Sequence, residues 1–258
     1  MSIEDKSSPL SSTAPPWYLS PDIKPDAQIK KASDFLELHG GKKKGYRPSD
    51  IPPYPYFTPR TKKEVLLLTV MLPSKGCVKG FRRTFDSWWD FIVPPTGLTK
   101  SRWEELKSNS KRLRLAKSIE YKPGIRWVAF DPNTYRANST KQALALSLND
   151  DNTTLAHAEV LMAAAMFPDW VNSWDGRGSP YPLLSGLQFY RNPSWSLAWL
   201  VMAFRRWLAG SGLQFYRNPS WSMVPDLRRW LPGSQIRLDA VNADSGSSDY
   251  SSPVVKEC

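Results

Sequence analysis

Residues 64–72 read EVLLLTVML and, after the loop PSKGCVKG, residues 81–93 read FRRTFDSWWDFIV. The first run is short, continuous and apolar, as in a strand buried on both faces, although periodicity alone leaves a helix open. In the second, Phe81, Phe85, Trp88, Trp89 and Ile92 recur on one face and Arg82, Arg83, Asp86 and Asp90 mostly fall opposite. That spacing predicts an amphipathic helix stopped by Pro94-Pro95. A buried strand feeding a helix with so broad an apolar face needs a core around both.

Working outward, GIRWVAF (124–130) alternates as a strand should, and so does IRLDAV (236–241). Ser139 with Gln142 fits a capping box opening STKQALALSL, and Ser101 with Glu104 fits another opening SRWEELKS. Thr153 or Thr154 is placed to cap a helix over LAHAEVLMAAAMF, ended by Pro168. Upstream, Asp26 caps a short helix with Ile29, Ala32 and Leu36 on one face, stopped by Gly40-Gly41 and followed by the extended IPPYPYFTP. The fold class expected is α+β, a single mixed domain of short strands and amphipathic helices over residues 62–245. Around it lie a Pro/Ser-rich disordered tail (1–25), a helix with a basic, Pro-rich linker (26–61) and a loose C-terminal tail (246–258).

Residues 185–196 and 211–222 are both SGLQFYRNPSWS. The likeness extends to RRWL-x-Gly, giving units 185–210 and 211–233 that differ in the middle. The first middle, LAWLVMAF, suits a helix; the second, MVPDL, permits at most a helix start because of Pro225. Two copies are too few for a solenoid or propeller, so the reading is a tandem duplication or an artefact of copying.

With 41% hydrophobic residues the chain can build a core. Lys and Arg outnumber Asp and Glu by 35 to 24, a net charge of +11, which favours polyanions, acidic proteins or anionic surfaces as partners. Only Cys77 and Cys258 are present, so disulfides do not organise the fold, and a cytoplasmic, reduced setting is expected. The longest apolar stretch, Leu197 to Phe204, is far short of the roughly 20 residues of a membrane span.

Chemistry is sparsely signalled. His157-Ala158-Glu159 matches the H-x-E of zinc deaminases, but the P-C-x-x-C that completes such a site is missing, so no metal and no cofactor are expected. There is no P-loop, dinucleotide fingerprint or nucleophile elbow. Asp86 and Asp90 beside Trp88 and Trp89, and Asp169 and Asp175 flanking WVNSW, place carboxylates near aromatic rings as hydrolases of sugars do. The plainer reading of Asp86 and Asp90 is surface ion pairs. The broadest signal is basic: Lys100, Arg102, Lys107, Lys111, Arg112, Arg114, Lys117, Lys122 and Arg126 stand against three acids, interleaved with Trp103 and Tyr121. Such residues would contact phosphates, while Tyr190, Trp195, Tyr216 and Trp221 of the repeat would offer stacking platforms. The leading expectation is a non-enzymatic binding module for a polyanion, most plausibly nucleic acid. Self-association or a protein partner through the aromatic surface is the alternative, and a hydrolase the third.

From Thr154 to Val255, HAEVLMAAAMFPDWV, SPYP, a Gly-led segment, W-S-x-V-P-x-L (221–227) and SSPVV (251–255) resemble uncharacterised bacterial proteins without an assigned function. The resemblance implies a single Gly-led segment, which marks unit one as the inserted copy.

Overall fold

The computed structural model describes residues 25–40, 45–61, 64–73, 77–94, 96–103, 106, 113–116, 119–150, 153–174, 180–190, 222–230, 235–244 and 246–257. The proposed helix of unit one, and Trp195, Tyr216 and Trp221, lie outside these.

The chain is a mixed α+β structure of two principal sheets. The first has strand order β1 (Val65–Met71), β4 (Gly124–Asp131), β11 (Val254–Glu257), β5 (Thr153–Leu155), antiparallel throughout. The second runs β2 (Thr99–Arg102), β9 (Gln235–Asn242), β8 (Ser222–Trp230), β7 (Leu187–Tyr190), β3 (Leu113–Leu115). A small parallel pair, β6 (Tyr181–Pro182) with β10 (Tyr250–Ser251), touches β8 through a bridge from Leu183 to Asp226. Helices α1 (Pro25–His39), α2 (Cys77–Phe91), α3 (Thr140–Ser147), α4 (Ala158–Met166) and α5 (Pro168–Ser173), with a 3-10 turn at Pro48–Asp50, complete the described elements.

The opening stretch folds as expected. Every residue of β1 is buried, which is why it reads as an unbroken apolar run and not as an alternation. Phe81, Phe85, Trp88, Trp89 and Ile92 are all buried, and Phe35 of α1 stacks on Trp88 with ring centroids 3.9 Å apart. Thus α1 is part of the core, through Ala32, Phe35 and Leu36. α2 starts at Cys77, inside the segment that reads as a loop.

Four further expectations are corrected. Ser101 does not open a helix: Ser101 and Arg102 end strand β2, held parallel to β9 by a partner more than a hundred residues away that no local pattern announces. Thr153 and Thr154 belong to β5, and the cap of α4 is His157. Pro225 sits inside β8. Its carbonyl accepts from Leu184 N–H at 2.9 Å, so its missing N–H points to the gap between β7 and the Leu183 bridge, where no ladder bond is required. The C-terminal stretch is not loose: β11 lies between β4 and β5, its Val254 and Val255 following a polar run that masks them. The capping box of α3 forms as read, with Gln142 N–H donating to Ser139 Oγ and Ser139 N–H to Gln142 Oε1 at 2.9 Å.

The first copy of the repeat enters the second sheet as β7. Its Gly186 crosses so near β5 that an added Cβ would meet Leu155 O at 2.7 Å, so only glycine fits. In a variant lacking 185–210, the identical SGLQFY of 211–216 follows Leu184 directly, and the five residues RNPSW lead into β8 as a hairpin connection. This deletion is expected to retain a cooperative thermal transition and an unchanged far-ultraviolet dichroism per strand residue. A non-cooperative melt would show that residues 185–210 are indispensable to the core.

Candidate functional site

Lys100 and Arg102 are spent on internal structure. Lys100 Nζ donates to the carbonyls of Trp89, Asp90 and Ile92 at 2.8–3.0 Å, capping the C-terminus of α2, and burial lowers its pKa. Arg102 pairs with Asp86 at 2.6 Å and lies over the Phe85 ring, its side chain 10% exposed. Asp86 therefore has a structural partner, though Arg102 and not Arg82 or Arg83. Lys122 pairs with Glu257 at the surface, and Arg126 Nη1 donates back to the carbonyl of Lys122. Arg114, on β3, is exposed. Lys107, Lys111, Arg112, Lys117 and Asp175 lie outside the described residues; of the described basic positions, Lys100 and Arg102 on β2 stand at the opposite end of the second sheet from Arg114 on β3.

His157 and Glu159 are 4% and 3% exposed, enclosed by the rings of Phe81 and Tyr121. His157 Nδ1 accepts the Ala158 N–H at 2.6 Å, and Glu159 Oε2 accepts the His157 N–H at 2.9 Å. Two N–H groups at the start of α4 are thereby satisfied, and burial pushes the imidazole pKa down. The pair caps a helix in the core. His157→Ala is expected to lower stability by about 1–2 kcal/mol in denaturant unfolding, the range for a lost cap. A stability unchanged within error would return the pair to the list of catalytic candidates.

A different cluster stands out on the second sheet, written in the sequence as two mirrored triplets, Asp226-Leu227-Arg228 and Arg237-Leu238-Asp239. β8 and β9 are antiparallel, so mirror images align like with like: Asp226 faces Asp239, Leu227 faces Leu238, Arg228 faces Arg237. The leucines turn into the main core. By the two-residue period of a strand, the charged residues share the opposite face. Arg114, opposite Gln188, lies on that face too, since its neighbours Leu113 and Leu115 pack with the core.

Each arginine is held by the carboxylate two residues along its own strand: Arg228 Nε to Asp226 Oδ2 at 2.7 Å, and Arg237 Nε to Asp239 Oδ2 at 3.1 Å. Asp226 is wholly buried, its backbone bridged to Leu183, and among the described residues its Oδ1 has no hydrogen-bond partner. Burial pushes its carboxyl up to about 6 against the pull of Arg228. Asp239 is 18% exposed on its side chain, Arg228 20% and Arg237 34%, so the face opens progressively away from Asp226. Tyr181 and Tyr250 flank it, their ring centroids 6.2 Å apart, and Tyr250 feels the charges of Arg228 and Asp226. On the β2 side, Ser101, paired with Arg237, has a buried hydroxyl without a partner among the described residues.

The four charged residues fall in two segments of the chain, so no single window of sequence brings the cluster together. The signal was the D-x-R and R-x-D spacing at the strand period. Among the described residues there is no group of three side chains able to hold a metal ion, and no helix is long and apolar enough to cross a membrane. Comparisons with protein-family models, with curated proteins and with solved structures find no match.

Asp226 carries a pH prediction. Its folded-state pKa of about 6 lies above the ordinary 3.8, so the folded protein binds the extra proton. The stabilisation is complete below about pH 4 and is lost as pH rises through about 6. Asp226→Asn should therefore be more stable than the parent at pH 8, by on the order of 1–3 kcal/mol, with the gain vanishing toward pH 4. Thermal melts across that range read it; a variant less stable at pH 8 would show that the ionised pair stabilises the sheet.

Proposed function

We propose that the protein is a non-enzymatic binding module for a polyanion, nucleic acid being the polyanion its surface suits best, and that the outer face of the second sheet is the contact surface. The observation that carries this reading is the direct opposition of Arg228 and Arg237 on neighbouring central strands. Like charges placed opposite each other destabilise a sheet, and a stability-driven pairing would set each arginine against an aspartate. An anion between two guanidinium groups turns that repulsion into attraction, since each planar fork can donate two parallel bonds to one oxyanion. Arg114 lies on the same face but in the row of Gln188, about four residues along β8 from Arg228, and Tyr250, half-buried beside Arg228, would offer a ring on which a base could stack. The net charge of +11 would draw a polyanion toward this face over a longer range.

Fluorescence anisotropy with labelled random-sequence DNA and RNA tests it at about 50 and 200 mM salt, a range over which phosphate contacts weaken binding steeply. The parent protein is expected to bind at the lower concentration and weaken at the higher. The double variant Arg228→Gln/Arg237→Gln should lose most of the affinity and flatten the salt slope by about one per contact removed. No binding at the lower salt, or binding indifferent to salt, would overturn the reading.

A further inference from the structure

Resting on that reading, we propose that Arg228 and Arg237 together grip a single phosphoryl group, and that the grip is coupled to uptake of one proton by Asp226. Residues directly opposite in an antiparallel pair have Cβ atoms roughly 5 Å apart, a span that lets two guanidinium forks converge on one tetrahedral oxyanion. Both arginines are already oriented, because each is anchored through Nε to a carboxylate of its own strand. Anchoring through Nε presets the plane of the fork and reduces the ordering entropy that binding would otherwise cost.

The coupling follows from what surrounds Asp226. Facing it are Arg228 on its own strand, Asp239 and Arg237 on β9, and Tyr250 on β10; Leu183, beside β6, brings no charge. With both aspartates ionised the quartet of Asp226, Arg228, Arg237 and Asp239 is neutral. A phosphoryl group arriving at Arg228 adds negative charge beside a wholly buried carboxylate and competes for the one guanidinium that bonds it. Protonation of Asp226 relieves both penalties: the quartet becomes singly positive, matching the single charge of a phosphodiester, and the neutral carboxyl still accepts from Arg228 Nε while the terminal nitrogens of the guanidinium turn to the ligand. The proton comes from solvent, and no covalent bond to the ligand is made or broken. Burial has already brought this carboxyl to about 6, so the proton is within reach near neutral pH. Since binding and protonation favour each other, affinity rises as pH falls.

The experiment uses the full chain and a labelled oligothymidylate, whose phosphodiesters and bases do not titrate between pH 5.5 and 8, at constant ionic strength. Inorganic phosphate serves as competitor. The parent protein is expected to bind at least fivefold more tightly at pH 5.5 than at pH 8. Asp226→Asn, which keeps an acceptor for Arg228 while removing the charge, should bind at pH 8 within twofold of the parent at pH 5.5 and show a flat profile. Independently of any variant, calorimetry at pH 7 in two buffers of different ionisation enthalpy should report a fraction of a proton taken up per site. Oligothymidylate binding with the same pH profile in parent and variant, or without proton uptake, overturns the coupling while leaving the binding function standing. Absence of oligothymidylate binding at every pH in both proteins overturns the polyanion reading; if inorganic phosphate still binds the parent and not the Arg228→Gln/Arg237→Gln variant, the clamp stands with a free phosphate as its ligand.

Discussion

The outer edge of β1 is where a strand buried on both faces meets the requirement that no backbone polar group go unpaired in the core. β1 ends its sheet, so β4 satisfies only one of its edges. The other edge is closed by side chains. Gln28 of α1 acts as a short strand substitute, donating from Nε2 to Leu66 O at 2.8 Å and accepting at Oε1 from Leu68 N–H at 2.9 Å. Trp88 of α2 donates to Val70 O, Thr84 Oγ accepts from Leu72 N–H, and Tyr121 donates to Leu72 O while bonding Thr84. Burial and desolvation push the Tyr121 phenol up to about 12, so it remains a donor at any physiological pH.

Those bonds determine how the rest of the molecule is arranged. They draw α1, α2 and the segment before β4 onto one edge, where Phe35, Trp88 and Phe91 pack ring against ring. They also remove an apolar edge that would otherwise recruit other strands. α2 in turn fixes the second sheet from its core side: Lys100 caps its C-terminus and Arg102 pairs with its Asp86, so the two basic residues of β2 that face inward are bound to it. The opposite face of the same sheet carries Arg114, Arg228 and Arg237.

How far the sequence could be read depended on whether a feature was local. β1, α2, β4 and the capping box of α3 were legible, since hydrophobic period and cap chemistry are properties of neighbouring residues. The basic run from Lys100 to Arg126 was legible as composition, yet its meaning was not. Lys100 and Arg102 alternate faces with Ser101, and only the position of α2 reveals that the inward pair is structural. The H-x-E of His157 and Glu159 can be set aside as a metal site from the missing P-C-x-x-C alone, but that His157 caps α4 inside the core is visible only once Phe81 and Tyr121 are packed around it.

The amino-acid sequence by itself determined an α+β protein with a buried strand, a broad-faced helix and a twelve-residue stretch written twice, because each is written in contiguous residues. Tertiary structure decided that β2 is a strand, that Val254 to Glu257 lies inside a sheet, and that a mirrored pair of triplets sets arginine against arginine. Cross-strand register is a relation between segments far apart in the chain, and its energy comes from which face each segment can bury. No window of neighbouring residues contains that information.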